Sequence, residues 1–135
     1  MEANELMIGD YIRCSQDCPG HRVDYISELE GEVGVDGEIL SLDMIDPIPL
    51  TQEILERNDF KKFPFPHIEG QHQWTWWKNI VTSVTLWCRE LNDDTKDGMV
   101  LKIEAPISQL CIKVNYVHEL QHALRLCGIE KEIEL

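Results

Sequence analysis

Two apolar runs flank an Asp-Gly pair in the stretch Val33-Gly34-Val35-Asp36-Gly37-Glu38-Ile39-Leu40. A two-residue type I′ turn requires φ > 0 at both central positions, a conformation that Gly adopts freely and Asp tolerates. The alternation of apolar residues on either side is typical of strands. The stretch therefore predicts a β-hairpin whose turn is Asp36-Gly37.

Further strand candidates lie on the N-terminal side of this hairpin. They are Leu6-Met7-Ile8, Tyr11-Ile12-Arg13 and the segment 22–27, separated by polar residues and turn signals. The run ends at Asp46-Pro47-Ile48-Pro49, because proline removes a ladder donor and restricts the residue before it. Several short strands within residues 1–50 predict a small, strongly bent β-barrel of SH3-like type.

Residues 51–135 predict a second unit that begins with a short helix. Thr51 is a good N-cap, and this helix is expected to end near Asn58. Apolar and polar residues then alternate with period two in three segments, which predicts half-buried antiparallel strands. The apolar positions of these segments are Val84, Leu86 and Cys88; Leu101 and Ile103; Leu110, Ile112 and Val114.

A second helix is predicted from Tyr116 to Cys127, with Gly128 as its left-handed terminator. The last residues, Glu132 to Leu135, are expected to form a short edge strand. The predicted fold class is therefore α+β: an N-terminal SH3-like small β-barrel, a helix, and an antiparallel β-sheet covered by the C-terminal helix. We expect both units to pack as one compact body.

The chain is strongly acidic, with 25 Asp and Glu residues against 12 Lys and Arg and a net charge of −13. Nucleic-acid binding and attraction to anionic membranes both depend on clustered basic side chains, which this sequence lacks. Solubility explains the charge most simply. The alternatives are a basic protein partner, or an acidic surface that mimics DNA.

Location and redox state follow from the N-terminus and the cysteines. The first residues are acidic and lack the basic and apolar regions of a signal peptide, and no apolar run reaches the length of a membrane span. Five cysteines, an odd number without a regular framework, are typical of free thiols in a reducing compartment. We expect a cytoplasmic protein.

One segment spells a metalloprotease motif, His118-Glu119-Leu120-Gln121-His122. On a helix, two His residues four positions apart can bind one zinc ion, and the intervening Glu can act as general base. This pattern makes His118, Glu119 and His122 candidate metal-site residues.

Three observations count against a zinc hydrolase at this segment. No third protein ligand follows in either of the usual arrangements. The helical wheel places His118, His122 and Arg125 opposite the apolar stripe, which predicts a solvent-exposed face. The fixed charge of Arg125 would also disfavour a dication.

A second candidate metal site consists of Cys14, Cys18 and His21, which surround a Pro-Gly turn. Their spacing differs from the Cys-x2-Cys knuckle, and no fourth ligand lies nearby in sequence. Only the fold could bring His67 or His72 to them. The sequence therefore favours unpaired loop thiols, with a structural zinc as the alternative.

Four tryptophans form a dense aromatic group: Trp74, Trp76, Trp77 and Trp87. Packing within the core explains them most simply. The alternative is an exposed platform that binds a sugar or a protein, because aromatic side chains dominate such surfaces. We take them as the partner-binding candidates.

The chain resembles a group of uncharacterised small proteins from Bacteroides-type gut bacteria and their prophages. The resemblance rests on Asn4-Glu5-Leu6-x-Ile8-Gly9-Asp10, on Pro47-Ile48-Pro49-Leu50-Thr51-x-Glu53-Ile54-Leu55, on Tyr116-Val117-His118-x-Leu120-Gln121, and on the terminal Glu-x-Glu-Leu. These stretches cover about a third of the chain. The resemblance implies no activity, but it does imply a mobile-element origin and a host or phage protein as partner.

Together these features predict a non-enzymatic protein-interaction module with no cofactor and no catalytic residues. No nucleophile elbow or phosphate-binding glycine loop is present. The expected partner is another protein, with no nucleic acid and no membrane, and a homo-oligomer is left open. The alternative functions are a zinc-dependent hydrolase using residues 118–122, and an acidic inhibitor or DNA mimic.

Overall fold

The structure, a computed structural model, describes residues 1–15, 17–63, 76–81, 84–90, 99–106 and 108–135. Within 76–81 and 89–90 only the backbone is described. These residues form two compact units, each with its own antiparallel sheet. The first unit comprises Met1–Pro49 and Tyr116–Lys131, and the second comprises Leu50–Asn115 and Glu132–Leu135. The coarse prediction of an α+β fold is confirmed.

The first unit contains a five-stranded sheet with the order β4-β3-β2-β1-β5. Asp36 and Gly37 have φ of 51° and 83°, and Val35 pairs with Glu38 across them. The predicted two-residue hairpin is therefore confirmed. The strands are β1 (Tyr11–Arg13), β2 (His21–Ser27), β3 (Glu32–Val35), β4 (Glu38–Ser41) and β5 (Asp46–Pro47).

Alternating side chains of this sheet build the core of the first unit. Ile12 and Val33 are fully buried, and Val23 is 1% exposed. In the described residues β4 and β5 do not pair with each other, so the sheet is not a closed barrel and the SH3-like prediction is not confirmed. Strand β5 is short because Pro47 and Pro49 have no backbone N–H to donate to a neighbouring strand. The buried core residues are Leu6, Ile12, Val23, Val33, Val35, Leu42 and Ile45.

The long helix α2 (Val117–Leu126) belongs to the first unit. The predicted helix is confirmed to within one residue at each end, with Tyr116 as N-cap, Cys127 as C-cap and Gly128 at φ 72° after its end. The sequence had assigned this helix to the second sheet, whereas it contacts β1. The Gln121 side chain explains the difference: its Oε1 accepts from Tyr11 N at 3.0 Å, and its Nε2 donates to Gly9 O at 3.1 Å.

Asp10 adds a charged contact between the same two elements. Its side chain is fully buried, and its Oδ2 lies 2.7 Å from both Met7 N and His122 Nε2. Arg125 Nη1 donates to its Oδ1 at 2.9 Å. A buried carboxylate requires such donors, because burial without them costs several kcal/mol.

The second unit contains α1 (Gln52–Arg57) and a sheet with the order β10-β9-β8-β7-β6. Thr51 Oγ1 accepts from Ile54 N at 3.3 Å, which confirms the predicted N-cap. The strands are β6 (Lys61–Phe63), β7 (Trp76–Val81), β8 (Val84–Glu90), β9 (Met99–Ala105) and β10 (Ser108–Val114).

Burial alternates as predicted in β8 and β9, where Leu86, Cys88, Leu101 and Ile103 are at most 5% exposed. In β10 the prediction is wrong at Leu110, which is 54% exposed. Among the described strands β10 pairs with β9 alone, at the edge of the sheet. An edge strand is covered along less of its length, so its apolar positions need not all be buried.

The predicted C-terminal edge strand is also wrong. Residues 132–135 form no strand, although Ile133 is 2% exposed. The buried Asn58 amide pairs instead with the backbone of Glu134, accepting from its N and donating to its O, both at 2.7 Å. A side chain thus satisfies the backbone groups that a neighbouring strand would have paired.

The described helices are short. The longest, α2, has ten residues, while a helix that crosses a bilayer needs about 20 apolar residues. Within the described ranges no helix is long and apolar enough for that role. The cytoplasmic location stays a prediction.

We predict that Asp10→Ala lowers the free energy of unfolding by about 3 kcal/mol, because it leaves His122 and Arg125 without their buried acceptor. Because His122 and Arg125 are both partly exposed, the expected loss lies at the lower end of the range for breaking a buried ion pair. The measurement is urea unfolding. The exposed Asp43 provides the control, and Asp43→Ala should change the value by less than about 0.5 kcal/mol. Equal effects of the two substitutions would contradict the role of Asp10.

Candidate functional site

The loop between β1 and β2 contains two cysteines, and β2 begins with a histidine. Cys14 follows β1 directly, and Cys18 lies in a turn closed by its own N–H donating to Ser15 O at 3.2 Å. Pro19-Gly20 then leads the chain to His21 at the start of β2. The antiparallel return of β2 beside β1 places both ends of this loop on the same edge of the unit.

The loop brings three metal-binding atoms together. The Sγ atoms of Cys14 and Cys18 and a ring nitrogen of His21 all lie within 4.8 Å of one another, and Cys18 Sγ is 3.2 Å from His21 Nε2. Two sulfur ligands of a tetrahedral zinc ion, each about 2.3 Å from the metal, lie about 3.8 Å apart. The three side chains therefore need only small rotations to bind one ion.

A fourth side chain, Asp36, orients the histidine. Its Oδ2 lies 2.5 Å from His21 Nδ1. An ionised carboxylate can only accept, so Nδ1 carries a proton, and Nε2 is the nitrogen that faces Cys18. Metal-binding histidines commonly have this arrangement, with a carboxylate on the nitrogen that faces away from the metal.

Two local features hold Asp36 at this position. Strand β2 has a bulge at Asp24, whose Oδ2 accepts from Gly37 N at 3.3 Å and so ties the turn to β2. Gly34 of the neighbouring strand β3 leaves room for the Asp24 side chain, because a Cβ at Gly34 would lie only 2.5 Å from Asp24 Oδ1. A larger residue at Gly34 would therefore displace Asp24, and the Asp36-Gly37 turn would lose this support.

The electrostatics distinguish the two thiols. The hydrogen bond with His21 lowers the pKa of Cys18, and the hydrogen bond to Asp36, followed by that to Cys18, raises the pKa of His21. Burial, followed by the charge of Cys18, raises the pKa of Cys14. Cys18 is therefore the thiol that ionises first, and Cys14 releases its proton at higher pH unless a cation binds beside it.

The protease-like segment has a different arrangement. His118 is only 5% exposed, and its ring stacks on Tyr116 with centroids 5.8 Å apart. Glu119 Oε2 accepts from the N-cap Tyr116 N at 3.2 Å, and His122 binds Asp10. Among the described residues no cysteine, carboxylate or further histidine completes a metal-binding group with His118 and His122.

The predicted solvent face of this helix is wrong at His118 and incomplete at His122. The His122 side chain is 23% exposed, and Gln121 next to it is 7% exposed. The helical wheel failed here because the polar side chains of α2 bind the segment from Gly9 to Tyr11, which is more than one hundred residues away in the sequence. A sequence pattern within one helix cannot show such partners.

Of the four tryptophan candidates, the structure describes the side chain of Trp87 alone. Trp74 lies outside the described residues, as do His67 and His72, while Trp76 and Trp77 are described only as backbone in β7. Trp87 is half-buried, and its Nε1 donates to Glu104 Oε2 at 3.2 Å. Its ring meets Phe63 edge-on at 5.3 Å. Cross-strand packing thus accounts for Trp87, and partner binding by this group stays a prediction.

No protein-family model, no curated protein and no solved structure matches this chain. The resemblance to proteins of gut bacteria and prophages therefore stays a prediction. Sequence reasoning found Cys14, Cys18 and His21, but read Asp36 only as a turn residue. The available signal was the place of Asp36 in the turn of the β3–β4 hairpin, because β3 pairs with β2 and β2 begins at His21.

We predict that His118 makes the fold less stable as pH falls below about 6.5. Burial lowers the pKa of folded His118 below its ordinary 6.5, so the unfolded chain takes up a proton at a higher pH than the folded chain does. The measurement is the urea midpoint between about pH 7.5 and pH 5.5. In His118→Leu the decrease should be smaller than in the unchanged protein. An equal decrease in both proteins would contradict the prediction.

Proposed function

We propose that this protein binds one zinc ion through Cys14 Sγ, Cys18 Sγ and His21 Nε2. The observation that carries the proposal is the convergence of these three atoms within 4.8 Å, with the Asp36 carboxylate on the other nitrogen of His21. Thiolate and imidazole ligands together favour zinc over magnesium or calcium, which prefer oxygen ligands.

The charges around the site support binding of a cation. Burial is the main cause that raises the pKa of the Cys14 thiol, followed by Cys18, and the negative field of Glu38 and Asp36 raises it further. A bound dication offsets this field and stabilises both thiolates. Binding is therefore expected to release thiol protons and to weaken as pH falls.

The bound ion would join two loops of the first unit. Cys14 and Cys18 belong to the β1–β2 connection, and His21 links them through Asp36 to the β3–β4 turn. The core of this unit is already well buried at Ile12, Val23 and Val33. We therefore expect zinc to order the surface around these loops rather than to be required for folding.

We predict one zinc ion per chain when protein purified without chelator is titrated against a chromophoric chelator. Cys18→Ser and His21→Ala each remove a ligand and should weaken binding by at least about 100-fold. Cys111→Ser, at an exposed cysteine of the second unit, is the matched control and should bind zinc unchanged. No zinc uptake by the unchanged protein would overturn the proposal.

Two further variants sharpen this experiment. Asp36→Asn keeps a residue that tolerates the positive φ of the turn but removes the charge, so the affinity should fall by about 10–100-fold. His122→Gln tests the alternative hydrolase hypothesis, in which zinc binds at residues 118–122. If His122→Gln retains zinc, the result supports the site at Cys14, Cys18 and His21. If His122→Gln is the variant that loses zinc and the variants at Cys18 and His21 retain it, the result supports the hydrolase hypothesis.

Protein interaction is the second candidate function, and the acidic inhibitor or DNA mimic is its narrower form. Leu29 is 98% exposed in the turn between β2 and β3, and Met44 is 61% exposed in the short 3-10 helix Leu42–Met44. Leu42 N donates to Gly31 O and so joins the two segments. Beside them lies a cavity of about 410 Å³, and the described residues that line it include four carboxylates but no lysine or arginine. These features favour a basic partner with apolar side chains. The small β unit, predicted from the sequence to be SH3-like, also favours protein interaction.

We predict that the immobilised protein retains such a basic partner at low salt and releases it at high salt, since opposite charges steer the contact. Leu29→Ser combined with Met44→Ser should reduce retention. Ile39→Ser, at an exposed apolar residue of β4, is the control and should retain the partner. Retained proteins are identified by mass spectrometry. The same proteins on the double variant and the unchanged chain would contradict this function.

A further inference from the structure

The candidate zinc site has three protein ligands in the part of the chain that the structure describes. Zinc in proteins is usually four-coordinate. Structural sites take all four ligands from the protein, whereas sites that act on other molecules keep one position for an external ligand. The described residues thus supply three ligands, which is the number found in the second class.

Asp36 does not supply the fourth ligand. Its carboxylate accepts from His21 Nδ1, the nitrogen on the side of the ring away from Cys18. Because the metal would lie on the Nε2 side, the imidazole separates Asp36 from it. Moving Asp36 onto the metal would break the contact that sets the tautomer of His21.

The site is accessible from solvent. Cys14 and Cys18 are half-buried, and the His21 side chain is 29% exposed. The Asp36 side chain beside them is 63% exposed. An external molecule can thus reach the fourth position without a change in the core of the first unit.

The ligand set indicates what class of molecule this position takes. Two thiolates and a neutral imidazole offset the charge of Zn²⁺, so the ion polarises bound water less strongly than in a site of neutral histidines. A soft sulfur ligand suits a zinc ion that already carries two sulfur ligands. Site chemistry therefore favours binding of a thiol over hydrolysis.

The negative charge around the site determines which class of thiol is attracted to it. Asp36 and Glu38 both lie close enough to act on Cys14, and the chain has a net charge of −13. An anionic thiol such as glutathione is repelled by this surface, whereas a cysteine flanked by Lys and Arg is attracted to it.

We infer that the zinc ion keeps its fourth coordination position open and that this position binds the cysteine of a basic peptide segment. The inference rests on the proposed zinc site. As the peptide sulfur binds, its S–H bond breaks, the proton passes to solvent and the sulfur keeps the electron pair that it gives to zinc. No oxidant or reductant is needed.

The test uses the full chain loaded with Co²⁺, whose thiolate charge-transfer absorption reports the number of bound sulfurs. A Cys-containing peptide rich in Lys and Arg should raise this absorption about 1.5-fold, from two sulfurs to three. Its apparent dissociation constant should be at least about 10-fold lower than that of glutathione, with neutral 2-mercaptoethanol between them. The same peptide with Ser in place of Cys should leave the absorption unchanged.

Each failure has a separate meaning. A protein that does not bind Co²⁺ or Zn²⁺ overturns the proposed function itself. A protein that binds Co²⁺ but shows no added absorption with any thiol overturns the open position alone. Equal affinity for glutathione and the basic peptide overturns the selection by charge, and an equal response to the Ser peptide overturns binding through sulfur. Cys111→Ser, measured in parallel, excludes a contribution from the exposed thiol of β10.

Discussion

The fold of the first unit depends on one buried carboxylate. Asp10 is fully buried, and it accepts from the backbone of Met7, from His122 and from Arg125. It therefore fixes the turn before β1 and holds α2 beside that strand. Gln121 completes the contact by pairing with the backbone on both sides of Asp10. Apolar packing alone would leave α2 free to slide, whereas these directional bonds set its position.

The candidate metal site is built on the strand that this contact stabilises. Cys14 directly follows β1, and the loop returns to β2 at His21. The neighbouring hairpin supplies Asp36, whose turn is tied to the bulge in β2 through Asp24. Sheet pairing thus converts residues scattered over positions 14–36 into one cluster. His122 and Glu119 have structural contacts instead. His122 binds Asp10, and Glu119 accepts from Tyr116 N at the N-terminus of α2.

Local patterns identified most of the elements. The Asp36-Gly37 turn, the N-cap at Thr51 and the helix that ends before Gly128 all depend on residues within a few positions, so the sequence alone predicts them. The grouping of those elements was harder to predict. Helix α2 belongs to the first unit although the sequence predicted it with the second sheet, and the last residues paired with the side chain of Asn58 instead of forming a strand. Both errors involve polar partners far apart in the chain.

The sequence by itself determined the α+β class, the hairpin turn, the helix bounds, the acidic charge and the two sets of candidate ligands. These properties follow from composition and from contacts within about one turn of chain. Only the tertiary structure decided which set converges. It buried His118, paired His122 with Asp10, and placed Asp36 behind His21. The physical reason is that metal binding requires donor atoms a few ångströms apart, and strand pairing sets that separation while spacing along the chain does not.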